Sequence, residues 1–164
     1  HKAVLDTIKS LEKKGADITY LDVNSEGIIT KEAFESAIKP TTILAAVMWV
    51  NNETGVIQNV KELSEIAFQN NVPFLCDGTQ AVGKVEIDMQ DSKIGVLPIS
   101  AHKFYGPKGI GALYIRRKSP RITLESLITG GNQENKLRAG TLNTPSVVGL
   151  GEAIEIAVAN LTFQ

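Results

Sequence analysis

Two apolar runs, each ending in groups with chemistry to offer, constrain this 164-residue chain more than any other feature. Val72-Pro73-Phe74-Leu75-Cys76 follows Asn70-Asn71 and gives way to Asp77-Gly78-Thr79-Gln80. Gly95-Val96-Leu97-Pro98-Ile99 gives way to Ser100-Ala101-His102-Lys103, then to the turn-rich Phe104-Tyr105-Gly106-Pro107-Lys108-Gly109. Short, non-alternating apolar runs that open into polar loops are the pattern of buried parallel strands. Parallel neighbours need a crossover of a dozen or more residues, and the twenty-six positions from Asp77 to Lys103 suit one such unit.

The rest of the chain alternates helix and strand. Residues 1–14 set Val4, Leu5, Ile8 and Leu11 at helical spacing, with Gly15 as a C-cap. Ile18–Val23 alternates as a strand. Thr30 caps a helix with Phe34 and Ile38 on one face and Glu32 in its first turn. Ile43–Val50 is continuously apolar, the mark of a strand covered on both faces. Val60–Asn70 reads as a helix turning Leu63, Ile66 and Ala67 inward, Gly111–Arg116 as a strand, and Pro145–Leu161 as a last helix. No repeat or linker interrupts the series. The expectation is one α/β domain, a mostly parallel sheet with helices on both faces.

Composition narrows the function classes. Charged residues make up 21% and the net charge is −1, so no basic patch calls for nucleic acid. Arg116-Arg117-Lys118 with Arg121 reads as a solvated strand end. The single cysteine, Cys76, excludes an intrachain disulfide and a CxxC site, and the two histidines are too far apart for a metal-ligand spacing. No metal is expected. Neighbours on a strand face opposite ways, so a Cys76 beside a site-facing Asp77 is a small core residue. No apolar run is long enough to span a membrane and no signal-peptide pattern appears, which points to the cytoplasm or an organelle matrix and away from a membrane partner.

The strand ends carry the chemistry, because open α/β sheets bind ligands beyond their carboxyl edge. A lysine held at a strand end and partly desolvated, as Lys103 would be, can form a Schiff base with an aldehyde cofactor. Ser100 and His102, two apart, share one face of an extended backbone and could hold a phosphate. Asp77 could pair with a protonated pyridine nitrogen, and Gln80 could donate to a phenolate or cap the next helix. The same residues also read as a surface lysine before a turn and as an Asp in an N-cap or turn. Lys108 is a rival amine, but sits in the turn. The Gly-rich pieces 106–111 and 130–132 lack the Gly-Lys-Ser/Thr of a P-loop, and no GxGxxG supports a dinucleotide fold.

Four segments decide between these readings: Val50-Asn51-Asn52-Glu53-Thr54-Gly55, Asp77-Gly78-Thr79-Gln80-Ala81-Val82-Gly83-Lys84, Ser100 to Gly109, and Arg138-Ala139-Gly140-Thr141-Leu142-Asn143. In order and spacing they resemble those of the cysteine desulfurases, class V aminotransferase-like enzymes of pyridoxal-phosphate fold type I. His1-Lys2-Ala3-Val4-Leu5 matches as well. The resemblance implies pyridoxal 5'-phosphate as cofactor and L-cysteine as substrate, giving alanine and an enzyme-bound persulfide for iron–sulfur cluster assembly. It makes Lys103 the Schiff-base lysine, Asp77 the partner of the pyridine nitrogen and Gln80 the partner of the ring hydroxyl. Ser100 and His102 would bind the phosphate, and His1 would cover a ring face and take part in proton transfer. Asn52 would touch cofactor or substrate, and Thr141 would reach the phosphate in a neighbouring subunit. A homodimer and a sulfur-acceptor or scaffold protein follow as partners.

Set against that family, residues 1–164 are expected to be part of the large cofactor-binding domain, without the N-terminal Gly-rich loop and the C-terminal small domain. The nucleophilic cysteine would lie outside the chain. Departures from the family's pattern are Trp49, Gly78, the Gly95-Val96-Leu97-Pro98 run, Asn132 and Asn135-Lys136. The same motifs would also serve a selenocysteine lyase or another class V enzyme, and an incomplete chain could be a non-catalytic interaction piece.

Overall fold

The computed structural model describes residues 1–118 and 121–161. Four strands form one sheet in the order β1 (Ala45–Met48), β2 (Phe74–Asp77), β3 (Val96–Ser100), β4 (Gly111–Ile115). β1 and β2 are parallel, with Val47 opposite Cys76 and Met48 opposite Asp77. β2 and β3 are parallel through Leu75 and Val96, and β4 returns antiparallel, pairing Ser100 with Gly111 and Val96 with Ile115. The mostly parallel α/β sheet expected from the two apolar runs is therefore present.

Helix α3 (Val60–Gln69) is the crossover from β1 to β2. The Asn59 side chain caps it by accepting from the Glu62 N–H, and Leu63, Ile66 and Ala67 face inward as their spacing predicts. Helix α2 (Lys31–Ala37) starts at Thr30, whose hydroxyl accepts from the Ala33 N–H at 3.2 Å, and buries Phe34. Phe34 meets Phe74 edge-on, centroids 6.0 Å apart, in a core shared with Val47, Cys76 and Ile94.

A second cluster joins the sheet's end to α4 (Thr144–Asn160). Ala101, Phe104 and Val82 are buried there under Leu150, Ala153, Ile154 and Ala157 of the helix. Gly83 permits the approach: at φ +73° a Cβ would lie 2.8 Å from the Ala157 Cβ.

Several local expectations give way to tertiary context. Ile18–Val23 forms no strand; Ile18 and Leu21 are half-buried, Leu21 packing on the core, but no described strand pairs with the segment. Ile43–Val50 is not covered on both faces: only Ala45–Met48 pairs, and Ala46 is exposed at the sheet's edge while Val47 is buried. The 78–95 crossover runs through turns in place of a regular helix. The first helix, α1 (Lys2–Glu12), buries none of its residues and is capped by Lys13, with Gly15 at φ +95° just beyond.

Pro98 sits in a central strand, a place that normally requires a donor. The Ala101 N–H donates to the Ile110 carbonyl in β4's direction, so alternation turns the backbone of Pro98 toward β2. Its carbonyl accepts there from the Gly78 N–H at 3.2 Å, and the β2–β3 ladder shrinks to one register pair.

Arg116 departs most from expectation. It is no solvated strand end: its guanidinium donates to the carbonyls of Ile94 (2.9 Å), Met89 (2.8 Å) and Ser92 (2.6 Å), clamping the loop before β3 onto the end of β4. Among the described residues no helix is long and apolar enough to cross a membrane.

Candidate functional site

Three parallel strands deliver their carboxyl ends to one edge of the sheet, and most of the singled-out residues sit there. After β1 the chain makes a tight hairpin, Val50 bridging Ile57, in which the Asn51 carbonyl oxygen Oδ1 accepts from the N–H groups of Glu53 and Thr54. Asn52 is exposed at its tip and donates to Glu53 Oε1 at 2.6 Å.

β2 ends on Asp77, 8% exposed, whose backbone carbonyl accepts from the Trp49 N–H at 3.0 Å. Its Oδ1 accepts from the Thr79 N–H at 3.0 Å. The turn role and the site position thus coincide, and among the described residues no donor is spent on Oδ2. Gln80 follows in the same turn, half-buried, its Oε1 accepting from Lys84 Nζ.

β3 ends on Ser100, and the chain tightens at once into a 3-10 turn, Ala101–Phe104, carrying His102 and Lys103. His102 is therefore not on an extended strand sharing a face with Ser100. The turn still brings them together, Ser100 Oγ to His102 Nδ1 at 3.0 Å. Tyr105, at φ +66° and 100% exposed, closes the turn, and the Gly106 N–H donates back to the Ala101 carbonyl. Lys103 is exposed and borders a groove shared with Gly83, Tyr105 and Ala153. The expectation of a partly desolvated amine is thus not met, because the turn swings the lysine out of the apolar run that precedes it.

Two further singled-out residues, His1 and Thr141, are exposed. His1 caps α1, its Nδ1 accepting from the Ala3 N–H at 3.1 Å. Thr141 follows the 3-10 turn Gln133–Lys136. No hydrogen bond among the described residues ties either to the strand ends.

Cys76 is fully buried, 0% exposed, in the α3 side of the core. Burial, and secondarily the neighbouring Asp77 charge, push its thiol far above its ordinary range. It is a core residue, as its place in the strand suggests. Among the described residues no group of three His, Cys, Asp or Glu side chains could hold a metal.

The donor set fits an aromatic aldehyde that carries a phosphate. A buried carboxylate with a spare oxygen suits a protonated ring nitrogen, the hydroxyl–imidazole pair suits phosphate oxygens, and an amide and an amine stand beside them. One neighbour of the site escaped the sequence reading: Lys84 as the partner of Gln80, four residues before it.

The chain is 51% identical over 161 residues to the cysteine desulfurase IscS of Neisseria gonorrhoeae and 49% identical over 164 residues to that of Haemophilus influenzae. These matches take in 98% and 100% of the chain, and the chain spans about 40% of the length of each relative. Among solved structures, a NifS-like protein superposes with a TM-score of 0.93 at 40% identity, over 99% of this chain and 44% of its own. SspA in complex with cysteine superposes with a TM-score of 0.89 at 46% identity, over 94% and 44%. The profile of the class-V aminotransferases matches residues 1–164 from end to end, and the chain belongs to that family.

Proposed function

We propose that residues 1–164 form part of the large, cofactor-binding domain of a pyridoxal-phosphate-dependent cysteine desulfurase. The reaction takes sulfur from L-cysteine, leaving alanine and a protein-bound persulfide. One observation carries this reading: adjacent parallel strands set the buried carboxylate of Asp77 and the Ser100–His102–Lys103 group along one sheet edge. Relatives named as cysteine desulfurases and a neighbour bound to cysteine support the choice of reaction.

Bound there, pyridoxal 5'-phosphate supplies an electron sink for charge left on the substrate's α-carbon. The chain's own residues do the rest. Lys103 contributes the amine that holds the aldehyde carbon and, once free, moves the α-proton with its Nζ. Asp77 keeps a proton on the ring nitrogen, and its burial strengthens that ion pair. Ser100 Oγ and His102 anchor the phosphate, while Gln80 donates to the ring hydroxyl. His1 covers a ring face, Asn52 contacts cofactor or substrate, and Thr141 reaches the phosphate held by a second copy. The enzyme is accordingly a homodimer. It passes sulfur to an acceptor or iron–sulfur scaffold protein and works in the cytoplasm or an organelle matrix.

Cofactor trapping tests the reading. The chain is mixed with pyridoxal phosphate, reduced with borohydride, and its peptides are mapped by mass spectrometry. A single adduct at Lys103 is expected. Adducts scattered over exposed lysines, with Lys103 spared, would refute it. In the protein that carries this chain, Lys103→Ala abolishes alanine release from cysteine.

A further inference from the structure

The geometry points to Lys84 as a positioning residue that decides which face of the Gln80 amide the cofactor meets. This rests on the function proposed above. Gln80 and Lys84 lie in one run of turns, where the Ala81 and Val82 N–H groups donate to the Gly78 carbonyl, and those of Lys84 and Val85 donate to that of Ala81. Gly83, closely packed against Ala157 and Phe104, fixes the backbone from which Lys84 springs. The ammonium then reaches back four residues to Gln80 Oε1.

An amide has an acceptor on one side and two donors on the other, and nothing in Gln80 itself chooses between them. Lys84 chooses. An ammonium has three donors and no acceptor, so it can face only the oxygen. With Oε1 held, the Nε2 hydrogens are the free face of the side chain. A ring hydroxyl that has lost its proton only accepts, and a reversed amide would set two acceptors against each other. The ammonium donating to Oε1 also polarises the amide and sharpens its N–H donors. Lys84 touches neither substrate nor cofactor; it acts through Gln80.

A donor on the ring oxygen stabilises the oxygen's negative charge and so lowers the pH at which the bound cofactor's near-visible absorption band titrates. The test is that midpoint in the holo-protein carrying this chain, with cofactor affinity measured alongside. Lys84→Met is expected to raise the midpoint by about half a pH unit and to loosen the cofactor about threefold. Lys84→Arg, which keeps a donor-only cation, restores both. In a Gln80→Met background Lys84→Met changes neither, which separates action through the amide from a charge acting through space. A midpoint unmoved by Lys84→Met, or a shift that persists without Gln80, overturns the inference while trapping at Lys103 still stands. Wild-type protein with no Lys103 adduct overturns the proposed function and this inference with it.

Discussion

Gly83 is where the second helix layer is brought against the turn that carries Lys103, and replacing it with alanine measures how tightly the two are joined. The new Cβ would sit 2.8 Å from the Ala157 Cβ and 3.4 Å from the Phe104 Cβ. The first distance is too short for two methyl groups, and both partners are anchored, one on α4 and one at the base of the turn. Overpacking of this kind costs about 1–3 kcal/mol. Holding a non-glycine residue at φ +73° adds about 1 kcal/mol. Gly109 isolates the second cost: its φ is +80° and no atom lies within 4 Å of an added Cβ. Urea unfolding should therefore show Gly83→Ala losing about 2–4 kcal/mol and Gly109→Ala about 1 kcal/mol. Equal losses would mean that α4 does not pack on Gly83 as described.

Other perturbations follow from the core and the loop clamp. Phe74→Ala empties the centre of the α3-side core and should cost about 3–5 kcal/mol, with a coupling of about 1 kcal/mol to Phe34→Ala in a double-mutant cycle. Arg116→Met strands three carbonyls and should cost about 2–4 kcal/mol while speeding amide exchange at Lys93. Arg116→Lys recovers only part, since one ammonium cannot span all three acceptors. Cys76 should resist iodoacetamide in the native state and react on unfolding. Its folded thiol keeps a proton that the unfolded chain releases, so stability is unaffected by this group below its ordinary value of 9.0 and falls as pH rises above it. Native-state alkylation at pH 8 would refute the buried placement.

What could be read from the sequence was whatever depends on local pattern. The inward positions of α3, the Thr30 cap and the ends of β2 and β3 are properties of short windows; the first two appear where their windows place them, and both strands end one residue later than their apolar runs. Asp77 was legible both as a turn residue and as a strand end, and its turn bond occupies Oδ1 alone. Partnership was not legible. Ile18–Val23 has the alternation of a strand, but alternation records one-sided burial, which Leu21 achieves by packing without a ladder. Arg116 sits in a run of cations that looks solvated, and only the fold shows three carbonyls converging on it. Lys103 illustrates the same limit: the apolar run before it predicts desolvation, while the 3-10 turn after Ser100 carries it out to solvent.

The mixed direction of the sheet also sets an order of assembly. Ser100 pairs with Gly111, eleven positions on, whereas Ala45 pairs with Phe74, twenty-nine on and across a whole helix. Closing the shorter loop costs less chain entropy and comes sooner. The β3–β4 hairpin, bearing Ser100, His102 and Lys103, is thus expected to form ahead of the β1–β2 pairing that brings in Asp77. Pulse-labelled hydrogen exchange would see the Ala101 amide protected before that of Trp49. On the proposed function, the chain for an interval in folding holds the Ser100–His102 pair and Lys103 with no carboxylate yet beside them, and tight capture of pyridoxal phosphate is predicted only at the last stage of folding.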